Sequence, residues 1–369
     1  MSDVTNEKIE YDKTVLATGH VGFWERNEAS GGILLRETVK KYAMNIFRYI
    51  ILLGLCFIIL QPVLTKIAIS FMSERDLYDS TVVLIPKHFT LGNYKLSAYL
   101  MEYKTSLFVT GLLSVAVSLI QVFMCSLVGY GFSRFDFPLK KFWFFCVILV
   151  IIIPPQTIST SLYWHFYHFD IFGLFRLITG SSLNMHASTL PYFLLCFTCQ
   201  GLKDGLYIFM ILQYFKGFPY ELEEAAYVDG CGTMGTYLRI MLPGAKPILT
   251  SCFLFSFVWQ WTDSFYTDLF FQKLKLLSSQ IAAIADRLQT YLTLSTGLRM
   301  VTQSYTQMII STGVILMVIP LIILASVSLV GDTPSKSITL FSVMIPLIIL
   351  YLFVQNLFVE SLVTTGVKG

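Results

Sequence analysis

Between Pro219 and Pro247 the chain reads PYELEEAAYVDGCGTMGTYLRIMLPGAKP, a polar island between long apolar runs. Pro219 suits the first position of a helix, where its missing N–H costs little. Glu221, Glu223 and Glu224 then fall in the first turn, where negative charge complements the helix macrodipole. Ala225 and Ala226 are small and favour helix. Gly230 stands where a left-handed helix stop belongs. A second short helix is expected from about Thr233 to Met241, broken by Pro243. The chemistry on offer is recognition: a helix–turn–helix elbow at a membrane surface, shaped to plug into another protein.

Other constellations offer less. Cys196 and Cys199 form a C-x-x-C inside an apolar run, with no second pair to complete a metal or redox site. His165 and His168 lie three apart without an evident third ligand, and read as interfacial histidines. Gly331 to Ser337 ends in Lys-Ser but has no Gly before the Lys, so it is not a phosphate-binding P-loop. No serine triad, zinc spacing or paired carboxylates in a plausible pocket is evident. The chain is expected not to be an enzyme and to bind no cofactor or metal itself.

The 369 residues that surround and include the elbow are 55% hydrophobic and 13% charged, against roughly a quarter charged in soluble domains. Several apolar runs reach the ~20 residues a helix needs to cross a bilayer, which makes the fold class all-α, a polytopic transmembrane helical bundle. The net charge of +3 gives no sign of nucleic acid, and seven cysteines, mostly in apolar runs, suggest reduced packing residues. Residues 1–44 read as a solvated cytoplasmic tail with no secretory signal, because Arg36, Lys40, Lys41 and Arg48 hold that end inside. The first span follows within 45–72 (Ile46 to Phe71), then an extracytoplasmic loop, 73–105. Within 106–369 further spans are expected at about Ser106–Phe132, Phe142–Tyr163, Leu190–Phe215 and Pro247–Phe270. Arg134, Lys140 and Lys141 place the loop after the second span inside. Four crossings then return the elbow, 216–247, to the cytoplasm.

Three places inside these spans carry polar or helix-breaking residues. Pro154 and Pro155 kink the third and free backbone carbonyls, which suits either a gate or a packing bend. Lys203 and Asp204, adjacent and so about 100° apart on a helix, are costly within a bilayer. They read as facing a wet ledge or a partner subunit. Trp259, Trp261 and Asp263 close the fifth span, as an aromatic belt or as a small-molecule contact. Residues 271–306 are expected outside, with Ser279 to Leu288 as a short surface helix. Val318-Ile-Pro-Leu-Ile-Ile-Leu324 recurs almost unchanged at Met344-Ile-Pro-Leu-Ile-Ile-Leu350.

Glu224-Ala225-Ala226, Gly230, nine residues, then Ile240-Met241-Leu242-Pro243 resemble the EAA loop of ABC importer permeases. Phe89 to Lys95 resembles the lead-in to the permease core of the sugar-importer branch. Tyr130 through Arg134 to Phe137-Pro138 resembles its tyrosine-to-arginine-to-Phe-Pro signature, and Phe358 to Gly369 its terminal phrase. Trp259 to Phe265 is similar to its tryptophan cluster, with Thr262 for the usual Asn. The resemblance implies a type I importer permease of the carbohydrate branch, most like the maltose-type second permease. That means six core spans plus one extra apolar segment, the second repeat copy being the last core span.

It further implies that Glu221, Glu224, Ala225, Ala226, Asp229, Gly230, Ile240, Leu242 and Pro243 couple to a cytoplasmic ATPase. Trp259, Trp261, Asp263, Lys203, Asp204, Pro154 and Pro155 would line the substrate pathway. The implied partners are a second permease subunit, two ATPase subunits holding ATP and Mg, an extracytoplasmic solute-binding protein, a sugar and membrane lipid. The implied location is a bacterial cell membrane, inner or plasma, with the N-terminus and the elbow cytoplasmic. The competing readings are an ABC permease for peptides or lipids, and a stand-alone secondary transporter.

Overall fold

The structure, a computed structural model, describes residues 33–170, 176–177, 181–185, 188–297 and 301–330. The expected N-terminal tail up to residue 32, the P-loop-like stretch, the second repeat copy and the terminal phrase lie outside the described residues. The chain divides into two units, Met1–Thr65 and Lys66–Gly369.

Helix α1 (Ile33–Phe71) has 39 residues, about 58 Å at 1.5 Å each, and so begins within the stretch expected to be tail. From Ile46 to Leu64 its large apolar side chains stand exposed, as lipid requires. In the second unit, α2 (Glu74–Leu77) and α3 (Gly92–Leu100) lie in the connection that follows α1. Asn93 closes it by donating to the carbonyls of Ser70 (2.9 Å) and Met72 (2.8 Å), left open at the end of α1.

Helix α4 (Tyr103–Arg134) is the centre of the bundle. Its buried face carries Ser106, Thr110, Ser114, Ser118, Gln121, Cys125 and Gly129 among Leu113, Val117 and Val122, while Phe108, Leu112, Leu119 and Phe123 point out. Small and polar residues thus share the inside, where a soluble helix would be mainly apolar. Between membrane helices there is no water to expel, so close approach by small residues supplies the packing. A Cβ on Gly129 would lie 3.0 Å from Ile211 Cγ2, which measures that approach.

The third expected span is α5 (Lys140–Ile152), a single 3-10 turn (Pro155–Ile158) and α6 (Ser159–Tyr167), with a bend of 98° at the prolines. The fourth is also divided. α7 (Leu190–Phe197) and α8 (Asp204–Lys216) are separated by Thr198–Lys203. The elbow consists of α9 (Glu221–Val228), α10 (Thr233–Thr236), a π turn (Tyr237–Met241) and α11 (Leu242–Gly244). After a 77° bend α12 (Lys246–Thr262) enters the bundle, followed by α13 (Phe265–Phe270), α14 (Leu277–Ala282), α15 (Ile284–Thr296) and α16 (Gln303–Val330).

Pro243 therefore does not break the second elbow helix, contrary to expectation. It sits in the first turn of α11, after a π turn has absorbed the mismatch, and the chain bends at Ala245. Nor is the Ser279–Leu288 region a surface helix. Leu277, Ile281, Ile284 and Leu288 are buried against Met308, Ile309 and Met317 of α16.

The first repeat copy lies in α16, whose preceding turns are tied into the bundle. Ser97 donates to the Ile309 carbonyl, Tyr103 to that of Leu316 and Trp261 to that of Met317, while Val318 and Leu321 are buried. Among the described residues three helices are long and apolar enough to cross a membrane. The α5–α6 pair and the α10-to-α12 pair raise this to at most five. No strand occurs among the described residues.

Candidate coupling elbow and membrane pathway

The elbow is built as its sequence dictates at both ends of α9. Glu221, Glu223 and Glu224 occupy the first turn. At the other end Gly230 takes φ +80°, Cys231 N–H donates to the Ala226 carbonyl (2.9 Å) and Gly230 N–H to that of Tyr227 (3.0 Å). These two bonds make a Schellman stop, which needs the left-handed residue that glycine supplies at no Cβ cost.

The two faces of α9 differ. Glu221, Glu224, Ala225, Asp229 and Gly230 are exposed, and Val228 beside them is 87% exposed, with Tyr220, Leu222 and Tyr227 also open. Glu223 and Ala226, three apart on the other face, are buried. Ile240 and Leu242 are half-buried and Pro243 exposed.

Glu223 is held from below. Its carboxylate forms an ion pair with the Arg134 guanidinium at the end of α4, both side chains almost fully buried, and accepts a hydrogen bond from Tyr130 Oη (3.2 Å). Arg134 also donates through Nη2 to the Phe218 carbonyl (2.8 Å) and lies 4.0 Å from the centre of the Tyr220 ring. Tyr130 stacks at an angle on Tyr237, whose hydroxyl meets Ser126 Oγ at 2.5 Å. On the far side Tyr214 of α8 donates to the Gly244 carbonyl (3.0 Å), where a Cβ on Gly244 would strike the Phe218 ring at 2.6 Å. The elbow is thus gripped by α4 and α8 while its acidic and apolar outer face stays open. The sequence reading pointed to Glu221 and Glu224 and missed the anchoring role of Glu223. The signal was present: Glu223 shares the Ala226 face, and Arg134 lies in the tyrosine-to-arginine signature.

The residues expected along the pathway are not one cluster. Pro154 and Pro155 sit at the α5–α6 break, exposed and half-buried respectively. Trp261 is buried with its N–H on the Met317 carbonyl (3.0 Å), and Asp263 is buried with Oδ2 accepting from Thr267 N–H (3.0 Å). Asp204 is not on a wet ledge. It is fully buried, its Oδ2 capping Gly201 N–H at 2.7 Å, and a Cβ on Gly201 would strike Gln121 Nε2 at 2.5 Å. The α7–α8 break holds two non-glycine residues left-handed, Cys199 (φ 58°) and Lys203 (φ 65°), a strain of about 1–3 kcal/mol each. Lys203 and Trp259 do come together: both are half-exposed, with the Lys203 amine 4.9 Å from the centre of the Trp259 ring. His165 and His168 pack on aromatic rings, His168 flat against Trp164, and among the described residues no three potential ligands could hold a metal.

No family model matches the chain. It is 26% identical over 331 residues to "Probable ABC transporter permease protein YurM" of Bacillus subtilis, covering 88% of this chain and 87% of that one. It is 23% identical over 342 residues to the arabinooligosaccharides transport system permease protein AraQ of Halalkalibacterium halodurans, covering 90% and 100%. Among solved structures, a bacterial ABC transporter involved in the import of the acidic polysaccharide alginate shares the fold. The TM-score is 0.53, with 19% identity over 80% of this chain and 98% of that one.

Proposed function

We propose that this chain, an ABC importer permease subunit of the carbohydrate-uptake branch, forms half of the membrane pathway of an ATP-driven importer for sugars or oligosaccharides. Its relatives support the solute class, since the similar proteins include transport permeases for arabinooligosaccharides and for starch degradation products. α9 would dock in a groove of a cytoplasmic ATPase. The observation that carries this is the two-faced α9: one buried side locked to α4 through Arg134 and Glu223, the other open, acidic and apolar. An exposed apolar patch rimmed by charge is the usual mark of a protein contact.

Charge supports the orientation. The same ion pair brings the elbow to the end of α4 where Arg134, Lys140 and Lys141 cluster, and α8 ends there at Lys216. Basic residues at span ends favour the cytoplasm. A second permease subunit, two ATPase subunits carrying ATP and Mg, and an extracytoplasmic binding protein complete the machine. When ATP draws the ATPase subunits together, α9 moves with its socket and pulls α4 through the buried pair, turning the pathway from inward- to outward-facing. The equilibrium shifts only because ATP and the loaded binding protein favour one state.

The test is co-purification of this chain with an ATPase subunit, followed by sugar-stimulated hydrolysis in the presence of the binding protein. Uptake by the chain alone, driven by an ion gradient and indifferent to ATP, would overturn the reading.

A further inference from the structure

Lys203 is a cation within the fourth expected span. α8 begins at Asp204 and runs 13 residues to the elbow end, so Lys203 stands about 20 Å from that end, a depth inside a hydrocarbon core of about 30 Å once the elbow lies at the membrane surface as proposed above. A charge there is retained only where it meets water, a partner or a ligand. Among the described residues no carboxylate forms an ion pair with Lys203. The two nearest acids in sequence or span are committed elsewhere: Asp204 to Gly201 N–H and Asp263 to Thr267 N–H. Among the described residues the aromatic ring beneath its amine is that of Trp259, itself half-exposed. A half-open ammonium beside a half-open indole offers an anion and a flat apolar surface together.

We infer that Lys203 and Trp259 form a subsite that reads the carboxylate of a uronic-acid unit in an oligosaccharide crossing the membrane. The carboxylate replaces the missing counter-charge, and the C–H face of the same pyranose packs against the indole edge left free by the lysine. One ammonium matches the single charge of a carboxylate; a dianionic phosphate would call for further donors. The inference rests on the import function proposed above and adds an acidic substrate class to it.

The experiment uses the complete transporter in vesicles with its binding protein. It compares uptake of trigalacturonate with that of galactotriose, the same chain with its carboxyl groups reduced. Lys203→Gln is expected to lower trigalacturonate uptake relative to galactotriose about tenfold or more, the worth of one charge-assisted hydrogen bond. Lys203→Arg keeps the wild-type ratio. Binding-protein-stimulated ATP hydrolysis in each variant verifies assembly. A ratio unchanged by Lys203→Gln means that the lysine pairs with another subunit, and overturns the inference. So does a wild-type transporter that imports galactotriose and excludes trigalacturonate. A wild-type assembly whose hydrolysis no sugar stimulates brings down the import function beneath it.

Discussion

Arg134 and Glu223 form a buried ion pair that ties the last turn of a membrane-crossing helix to the first turn of the elbow helix. A buried pair is weak evidence of stability, but breaking one partner leaves an uncompensated charge and costs about 3–5 kcal/mol. Arg134→Gln and Glu223→Gln are each expected to lower sugar uptake more than ATP hydrolysis. The exchange Arg134→Glu with Glu223→Arg should recover part of the coupling ratio. A double variant no better than the singles, with all three assembled, would show that the pair transmits nothing.

The outer face of α9 gives a separate forecast. Glu224→Lys reverses an exposed charge, and Gly230→Asp forces a left-handed residue where only backbone strain opposes it, since a Cβ there meets nothing within 4 Å. Both variants should reach the membrane and both should lose transport and ATPase co-purification. Normal transport by either would contradict the docking role.

Glycines on this bundle should respond with opposite signs. A Cβ on Gly205 would lie 2.9 Å from Ile151 and 3.0 Å from the Val147 carbonyl oxygen of α5, whereas one on Gly131 meets nothing within 4 Å. Gly205→Ala is expected to destabilise by about 1–3 kcal/mol through overpacking, while Gly131→Ala is neutral or stabilising by up to about 1 kcal/mol. Thermal unfolding in detergent separates them.

The connection between α1 and α4 carries a pH signature. Asp79 accepts from Lys87 Nζ (2.6 Å) and from Thr81 Oγ1 and N, which together hold its carboxyl well below the usual carboxylate range against a small opposing desolvation. A depressed folded value stabilises fully above the unfolded value near 3.8 and fades only as pH falls through the folded one. Hydrogen exchange of the 79–88 segment, corrected for intrinsic rate, should therefore be flat from neutral to about pH 5. Asp79→Asn should loosen the segment throughout that range. A wild-type loosening above about pH 5 would point to another group.

Much of the elbow was legible because its signals are local: a proline and three glutamates to start a helix, a glycine to stop it. The spans were legible from composition. What stayed hidden depends on contacts between distant segments. Glu223 and Glu224 are adjacent and chemically alike, and only Arg134 on another helix tells the anchor from the open face. Asp204 read as a wet charge, yet a backbone N–H three residues earlier lets it be buried. Leu277 to Leu288 has the polarity of a surface, but α16 covers its apolar side. The first Ile-Pro-Leu-Ile-Ile-Leu copy shows its place only through distant donors, since Tyr103 and Trp261 tie down the carbonyls of Leu316 and Met317 just before it.

The π turn at Tyr237–Met241 gives the elbow one residue more than an α-helical path would need. Such a surplus can migrate along a coil without parting it, which lets the joint lengthen or rotate under load while α12 remains continuous. Deleting a single residue there would close the turn into ordinary α-helix with the downstream facing nearly kept, whereas one further residue would swing everything downstream by about 100° relative to α9. The stretch between α9 and α12 should thus tolerate the loss of one residue far better than the gain of one.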